Sequence, residues 1–339
     1  MSAIKRIGKQ TVRCADSPVI LGTGTVAGKK ESEGPIGSYF DIVAEDNVLA
    51  QKTWEKAESE FVRRAMGEAF QNSGIAPAQI DYCFGGDLLN QCTGTSYGIR
   101  EYGIPFIGLY GACSTMALGL SMASYMLDGG YADYCTAVTS SHFCSAEKQF
   151  RFPLEYGGQR PPSAQWTVTG AACAVLGKTG KGPKVECITN GKIVDMGITD
   201  ANNMGAAMAP AAADTLLAHF KDTGRTPEDY DVILSGDLGM IGKSVVVDML
   251  AKEGYDMSRN YNDCGLIIFD REKQDTHAGG SGCACAGLTF CGYVYKLLQK
   301  KQLSRVLFMA TGALQSTLSV QQGESMPGIA HAVSIVSAA

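Results

Sequence analysis

The sequence predicts an α/β protein made of two fused, related modules, and three observations carry that prediction. First, "AQIDYCFGGDLL" (78–89) aligns without gaps on "EDYDVILSGDLG" (228–239), 150 residues further along. Second, the stretch 111–141, opening "GACSTMALGL", aligns on 283–313, opening "CACAGLTFCG", at an offset of 172, which sets Cys113 opposite Cys285. Third, "YCTAVTS" and "RVLFMAT" are near-continuous apolar strands, the pattern of sheets covered on both faces.

Taken in order, "GTGTVAGKK" (22–30) reads as a turn-rich loop. It misses the phosphate-loop spacing, and Lys30 stands where that loop needs Ser or Thr. Trp54, Ala57, Phe61, Ala65 and Ala69 then share one helical face, closed by Gly74 and Pro77. Residues 102–127 carry no charge, a length that would span a membrane. "GIP", "YGACST" and four glycines break that span into a buried strand, a tight turn and a buried helix of about five turns. A short polar turn and a buried strand follow. "GKTGKGPK" (177–184) is an exposed turn that divides a first half, 1–179, from a second, 180–339. In the second half Leu216, Leu217 and Phe220 precede Gly224 and Pro227, the same helix with the same stop. "AGGSGCACAG" (278–287) fits close packing of a helix on a sheet rather than nucleotide binding.

Composition excludes several classes. The net charge is −5 and no basic run exceeds a pair, so no nucleic acid partner is expected. The first residues lack the apolar core of a signal peptide, and a cytoplasmic location is expected. Twelve cysteines include no C-x-x-C pair, so reduced thiols are expected, with no structural zinc and no cofactor.

The runs "GDLLNQ", "IPFIGLYGACST", "TSSHFCSAEKQFRFPLEYGGQRP", "WTVTG", "MGAAMAPAAADT", "NDCGLIIF" and "AGGSGCACAG" follow one another over nearly the whole chain. By them the sequence resembles the thiolase superfamily, nearest its ketoacyl synthase III branch, and most closely the stage V sporulation protein AD family of spore-forming Firmicutes. The resemblance implies a thiolase-like, five-layered α-β-α-β-α arrangement of two pseudo-twofold related halves. It also implies a binding protein for dipicolinic acid (pyridine-2,6-dicarboxylate), free or as its calcium chelate, serving uptake into the developing spore and germination. The implied partners are membrane subunits of the same spore complex and a second copy in a homodimer. The implied place is the cytoplasmic side of the forespore or spore inner membrane, held peripherally. A ketoacyl synthase III-like acyltransferase using Cys113 is the alternative, and a structural subunit with a vestigial pocket is a third.

Cys113 is the first site candidate. A thiol at a helix N-terminus is expected to have a lowered pKa, and in thiolases this position carries the acyl group. Condensing enzymes also need a second-half histidine and a further histidine or asparagine; Asp237 and Gly280 stand at those places. A carboxylate there opposes an enolate, so the expected ligand site is non-catalytic. Lys148, Arg151 and Arg160 lie among Phe150, Phe152, Tyr156 and Trp166, a mixture that suits a planar dianion. Asp87 and Asn90 are expected to face Cys113 across the crevice, and His142 and His331 complete the expected ligand set. His219 is expected on the surface.

Overall fold

The computed structural model describes residues 5–150 and 159–338. Helix α1 (Trp54–Ser73) begins where the Thr53 hydroxyl accepts a bond from the Lys56 N–H, and ends at Gly74 in the left-handed conformation. Its counterpart comes 150 residues later, bounded by Asn203 and a left-handed Gly224. Pro77 and Pro227 then each open a single 3-10 turn before a strand.

The first five long strands are β1 (Val19–Ala27), β2 (Tyr82–Gly86), β3 (Phe106–Gly108), β4 (Tyr134–Ser141) and β5 (Gly170–Gly177). The next five are β6 (Lys184–Asn190), β7 (Val232–Ser235), β8 (Tyr261–Asp263), β9 (Arg305–Ala313) and β10 (Gly328–Val336). They lie side by side in the order β8-β7-β9-β10-β6-β1-β5-β4-β2-β3. With five subtracted from each second-half number, the order is a palindrome. At its centre β6 and β1 share one residue pair, Val19 with Lys184. The boundary expected at 179/180 falls in the loop between β5 and β6.

Helices fill three layers around the two five-stranded sheets. On the outside of the first sheet lie α1 and α2 (Thr93–Ile99), with Phe61, Ala65 and Ala69 against Val26, Ala171 and Cys173. The middle layer holds α3 (Thr115–Asp128), while α4 (Phe143–Phe150) lies against the start of α1. Outside the second sheet are α5 (Met204–Thr223) and α6 (Gly239–Lys252). The chain re-enters the middle with α7 (Cys283–Leu288), a π-helical turn (Thr289–Val294) and α8 (Tyr295–Gln299), and a short α9 (Thr317–Gln321) precedes β10. The result is the expected five-layered α/β fold.

Three local expectations change. Residues 22–27 form strand β1, not a loop. Gly24 is there because a Cβ would lie 2.2 Å from the Ala65 carbonyl, so α1 can pack directly on the strand only over glycine. Strand β3 is a half-exposed edge, because only β2 pairs with it. Helix α3 starts two residues after Cys113 and has about four turns rather than five. No helix among the described residues is long and apolar enough to cross a membrane.

Candidate functional site

The chain reaches Cys113 through a tight turn between β3 and α3. Ala112 takes the left-handed conformation (φ +47), and the Ser114 and Thr115 hydroxyls donate to the Gly111 and Ala112 carbonyls at 2.6 and 2.7 Å. Gly312, on β9, lets this turn sit against the second sheet: a Cβ would lie 2.2 Å from the Gly111 carbonyl.

The second half supplies what faces the thiol. Asp237, just after β7, is fully buried with φ +67. Its backbone carbonyl accepts from Gln165 Nε2 at 2.6 Å, and its Oδ2 accepts from the Gly282 N–H at 3.1 Å. Its Oδ1 has no hydrogen-bond partner among the described residues. Cys283 Sγ donates to the Ala112 carbonyl at 3.1 Å and also meets the Cys113 thiol. That contact, with burial, pushes the Cys113 thiol well above its ordinary range, despite the neighbouring Gly282 N–H. Burial, and then Cys113, likewise push the Asp237 carboxyl well above the usual carboxylate range. This direction is opposite to the lowering expected from the helix N-terminus, and a thiol raised in this way holds less thiolate than a free cysteine.

Above Cys113 lies a cavity of about 280 Å³. Its walls are Tyr110, the α4 face of Ala146, Glu147 and Phe150, the stretch 201–204, and a band from Gln315 to Gln321 that includes α9. Asn202, Gln315, Thr317 and Ser281 bring amide and hydroxyl groups to it. Glu147 is the one charged side chain among the described lining residues, and no histidine or cation is among them.

Of the expected set, Cys113 alone lines this cavity. Arg151 lies outside the described residues, directly after the cavity residue Phe150. Asn90 and Lys148 line a separate, shallow pocket on the other face of α4, where Lys148 Nζ pairs with Glu55 at 2.6 Å. Asp87 does not face the crevice. Its carboxylate oxygens accept from the Leu89 and Thr95 N–H groups at 2.8 and 2.7 Å, beneath that shallow pocket and beside buried Glu58. His142 is fully buried, with Nε2 2.6 Å from the Asn47 carbonyl and its ring edge-on to Phe61. His331 meets Asn190 at 3.2 Å, and burial lowers its pKa to about 4. Arg160 lies over the Trp166 ring at 4.6 Å and donates to the Asp275 carbonyl at 3.0 Å, away from the cavity lining. His219 is not a surface residue: it is fully buried, held between Thr189 and Tyr230 at 2.7 and 2.6 Å.

The sequence reading missed the wall at 315–321. A signal for it was present, since the 172-residue offset maps this band onto 143–149, the stretch that follows the first-half candidate His142 and contains Lys148.

Comparison with known proteins agrees with this fold. The family model for Stage V sporulation protein AD matches residues 8–336. Stage V sporulation protein AD of Bacillus subtilis (strain 168) is 44% identical over 330 residues, covering 97% of each chain. Among solved structures, 3-oxoacyl-[acyl-carrier-protein] synthase III from Aquifex aeolicus superposes with a TM-score of 0.57 at 11% identity, covering 94% of this chain and 99% of that one. An OleA variant from Xanthomonas campestris gives 0.60 at 16% identity, over 94% and 96% of the two chains. These last two likenesses concern the fold.

Proposed function

The chain belongs to the stage V sporulation protein AD family, and from that premise we propose that it binds pyridine-2,6-dicarboxylate in the Cys113 cavity without transforming it. The binding serves uptake into the developing spore and germination, together with membrane subunits of the same complex at the spore inner membrane. The observation that carries the non-catalytic reading is Asp237. A buried carboxyl, its pKa raised by burial and by Cys113, stands beside Cys113 where a condensing enzyme needs an imidazole. Thioester formation needs a thiolate, and Cys113 is held neutral.

Support for the ligand comes from the cavity's size, at the lower end for small-molecule sites, and its mixed lining. Tyr110 and Phe150 offer aromatic surface, while Asn202, Gln315 and Thr317 offer donors to carboxylates. Two carboxylates beside Glu147 also need positive charge, from Arg151 next to Phe150 or from a calcium ion carried by the chelating ligand.

Calorimetry with dipicolinate, with and without calcium, and with picolinate tests the reading. Selective dipicolinate binding is expected. Arg151→Ala should weaken the calcium-free form by roughly ten- to a hundredfold, the worth of one charge-assisted bond. Lys148→Ala should leave affinity unchanged, because its ammonium serves the other pocket. Undetectable dipicolinate binding by the folded protein, with and without calcium, defeats the assignment. The acyltransferase reading keeps one favourable observation, a cysteine at the floor of a solvent-reached cavity. A stoichiometric Cys113 adduct after incubation with acetyl-CoA would put it first.

A further inference from the structure

The sequence holds no basic run longer than a pair, yet the fold gathers cations at the end of the sheets opposite the cavity. Sheet register defines that end. Tyr134 pairs with Gly177, Gly177 with Val19, Val19 with Lys184, Lys184 with Val336 and Val336 with Arg305, one row across five neighbouring strand pairs. Cys113 and Asp237 lie past the other ends of β3 and β7, and Ala313 is the last residue of β9 at that end.

Three segments without a single acid converge on the row. Residues 5–13 form a hairpin that pairs along β6 through Thr11–Arg13 and brings Lys5, Arg6 and Arg13 toward the row, with Arg13 opposite Cys187. The β5–β6 loop supplies Lys178 and Lys181, the first residue of β6 is Lys184, and the turn before β9 supplies Lys300 and Lys301. Of these eight, only Lys5 is in an ion pair among the described residues, with Asp128. Acids border the row, but Asp81 and Asp231 each accept two backbone N–H groups and Asp222 accepts from the Gln10 N–H. Asp16, Asp133, Glu228 and Asp229 remain exposed, the last two in the turn before β7 beside Arg305. Tyr131 projects beside Lys178, whose N–H donates to the Asp133 carbonyl; at 74% exposure it is the most exposed large apolar side chain of the described molecule.

We propose that this end docks on an anionic phospholipid surface. Lysines on glycine-flanked loops reach phosphate headgroups, and a projecting tyrosine ring suits the headgroup layer, where aromatic side chains concentrate. Docking this way leaves the cavity pointing away from that membrane. The inference does not depend on which ligand the cavity takes, nor on protein partners.

Co-sedimentation of the full chain with protein-free vesicles tests it. Vesicles of phosphatidylglycerol mixed with phosphatidylcholine should bind the protein at about 0.1 M salt and release it at high salt; phosphatidylcholine alone should not bind it. Each cation near the surface is worth roughly fivefold, so reversing three in K178E/K181E/K184E should weaken binding by about a hundredfold or more. Tyr131→Ser should weaken it by several-fold. Lys56→Glu, on exposed α1, should change binding little, and all variants should melt as the wild type does. No binding to the anionic vesicles overturns the proposal, as does an equal loss in Lys56→Glu. Duplex DNA of matched charge displacing the vesicles and binding as tightly would mark a nucleic acid surface instead.

Discussion

Glu58 provides the sharpest test of how the candidate acids are used. It lies fully buried on α1, where the Ser140 and Ser145 hydroxyls donate to its two oxygens at 3.0 and 2.7 Å. Burial first, and the neighbouring Asp87 second, raise its pKa from 4.5 to about 8. Because the folded value lies above the unfolded one, the stability tied to the protonated form is complete below about pH 4.5 and is lost as pH rises through 8. At 1.36 kcal/mol per unit, the loss reaches about 5 kcal/mol, a large share of a typical folding free energy. Glu58→Gln keeps the geometry. The amide oxygen accepts from Ser140 while the amide nitrogen donates to Ser145, whose hydroxyl still reaches the His142 carbonyl at 3.1 Å. Wild type and variant should therefore unfold alike near pH 5, and the variant should be more stable by several kcal/mol above pH 8. Urea unfolding midpoints between pH 5 and 9 measure this. A wild type whose stability is flat over that window, or a variant weaker at pH 9, would refute the reasoning. Either result would mean that Glu58 is ionised and paired, for example with a cation held in the shallow pocket above it.

Three further outcomes follow from the same geometry. His219 and His331 are held neutral by burial, with pKa values lowered to about 3 and about 4, so their contribution to stability falls as pH drops from 6.5 toward 4, against the gain from Glu58; His219→Gln should therefore lose less stability than the wild type between pH 6.5 and 4 in urea titrations, and parallel curves would contradict this. Cys113 should react with iodoacetamide more slowly at pH 8 than free cysteine, and mass spectrometry after acetyl-CoA treatment should find no adduct there; alkylation faster than the free amino acid would show an activated thiol. Gly312→Ala should cost on the order of 2–4 kcal/mol by overpacking the Cys113 turn and should also weaken ligand binding; an unchanged melting temperature would show that the turn yields easily.

The sequence revealed what local chemistry controls. Gly74 and Gly224, read with Pro77 and Pro227 as helix stops, take the left-handed conformation at those ends, a signal that needs no tertiary partner, whereas the N-caps Thr53 and Asn203 emerge only in the structure. The palindromic strand order follows from the two repeat offsets. Gly22 and Gly24 misled because glycine in a strand looks like a loop until the helix that presses on it is known. The candidate site was legible at Cys113 and Asp237, which the repeat placed. The remainder is expected among cations and histidines, whereas the described cavity wall, apart from Glu147, consists of neutral amides, hydroxyls and apolar or aromatic groups. His142, His219 and His331 satisfy their ring nitrogens inside the fold, and spacing alone does not reveal which way a ring at a strand end or on a helix turns.

Helix α3 is buried around nearly its whole circumference because it lies between β2 and β4 on one side and β9 and β10 on the other. Those two covers are made at different times. A ribosome adding 5–20 residues per second completes β10 roughly 10–40 s after it finishes α3. During that interval the face of α3 turned away from β2 and β4 has no strand to cover it. A chain released early, anywhere near residue 179, keeps that apolar face bare for good. Premature termination of this protein therefore yields material for chaperones and proteases rather than a dormant half-molecule.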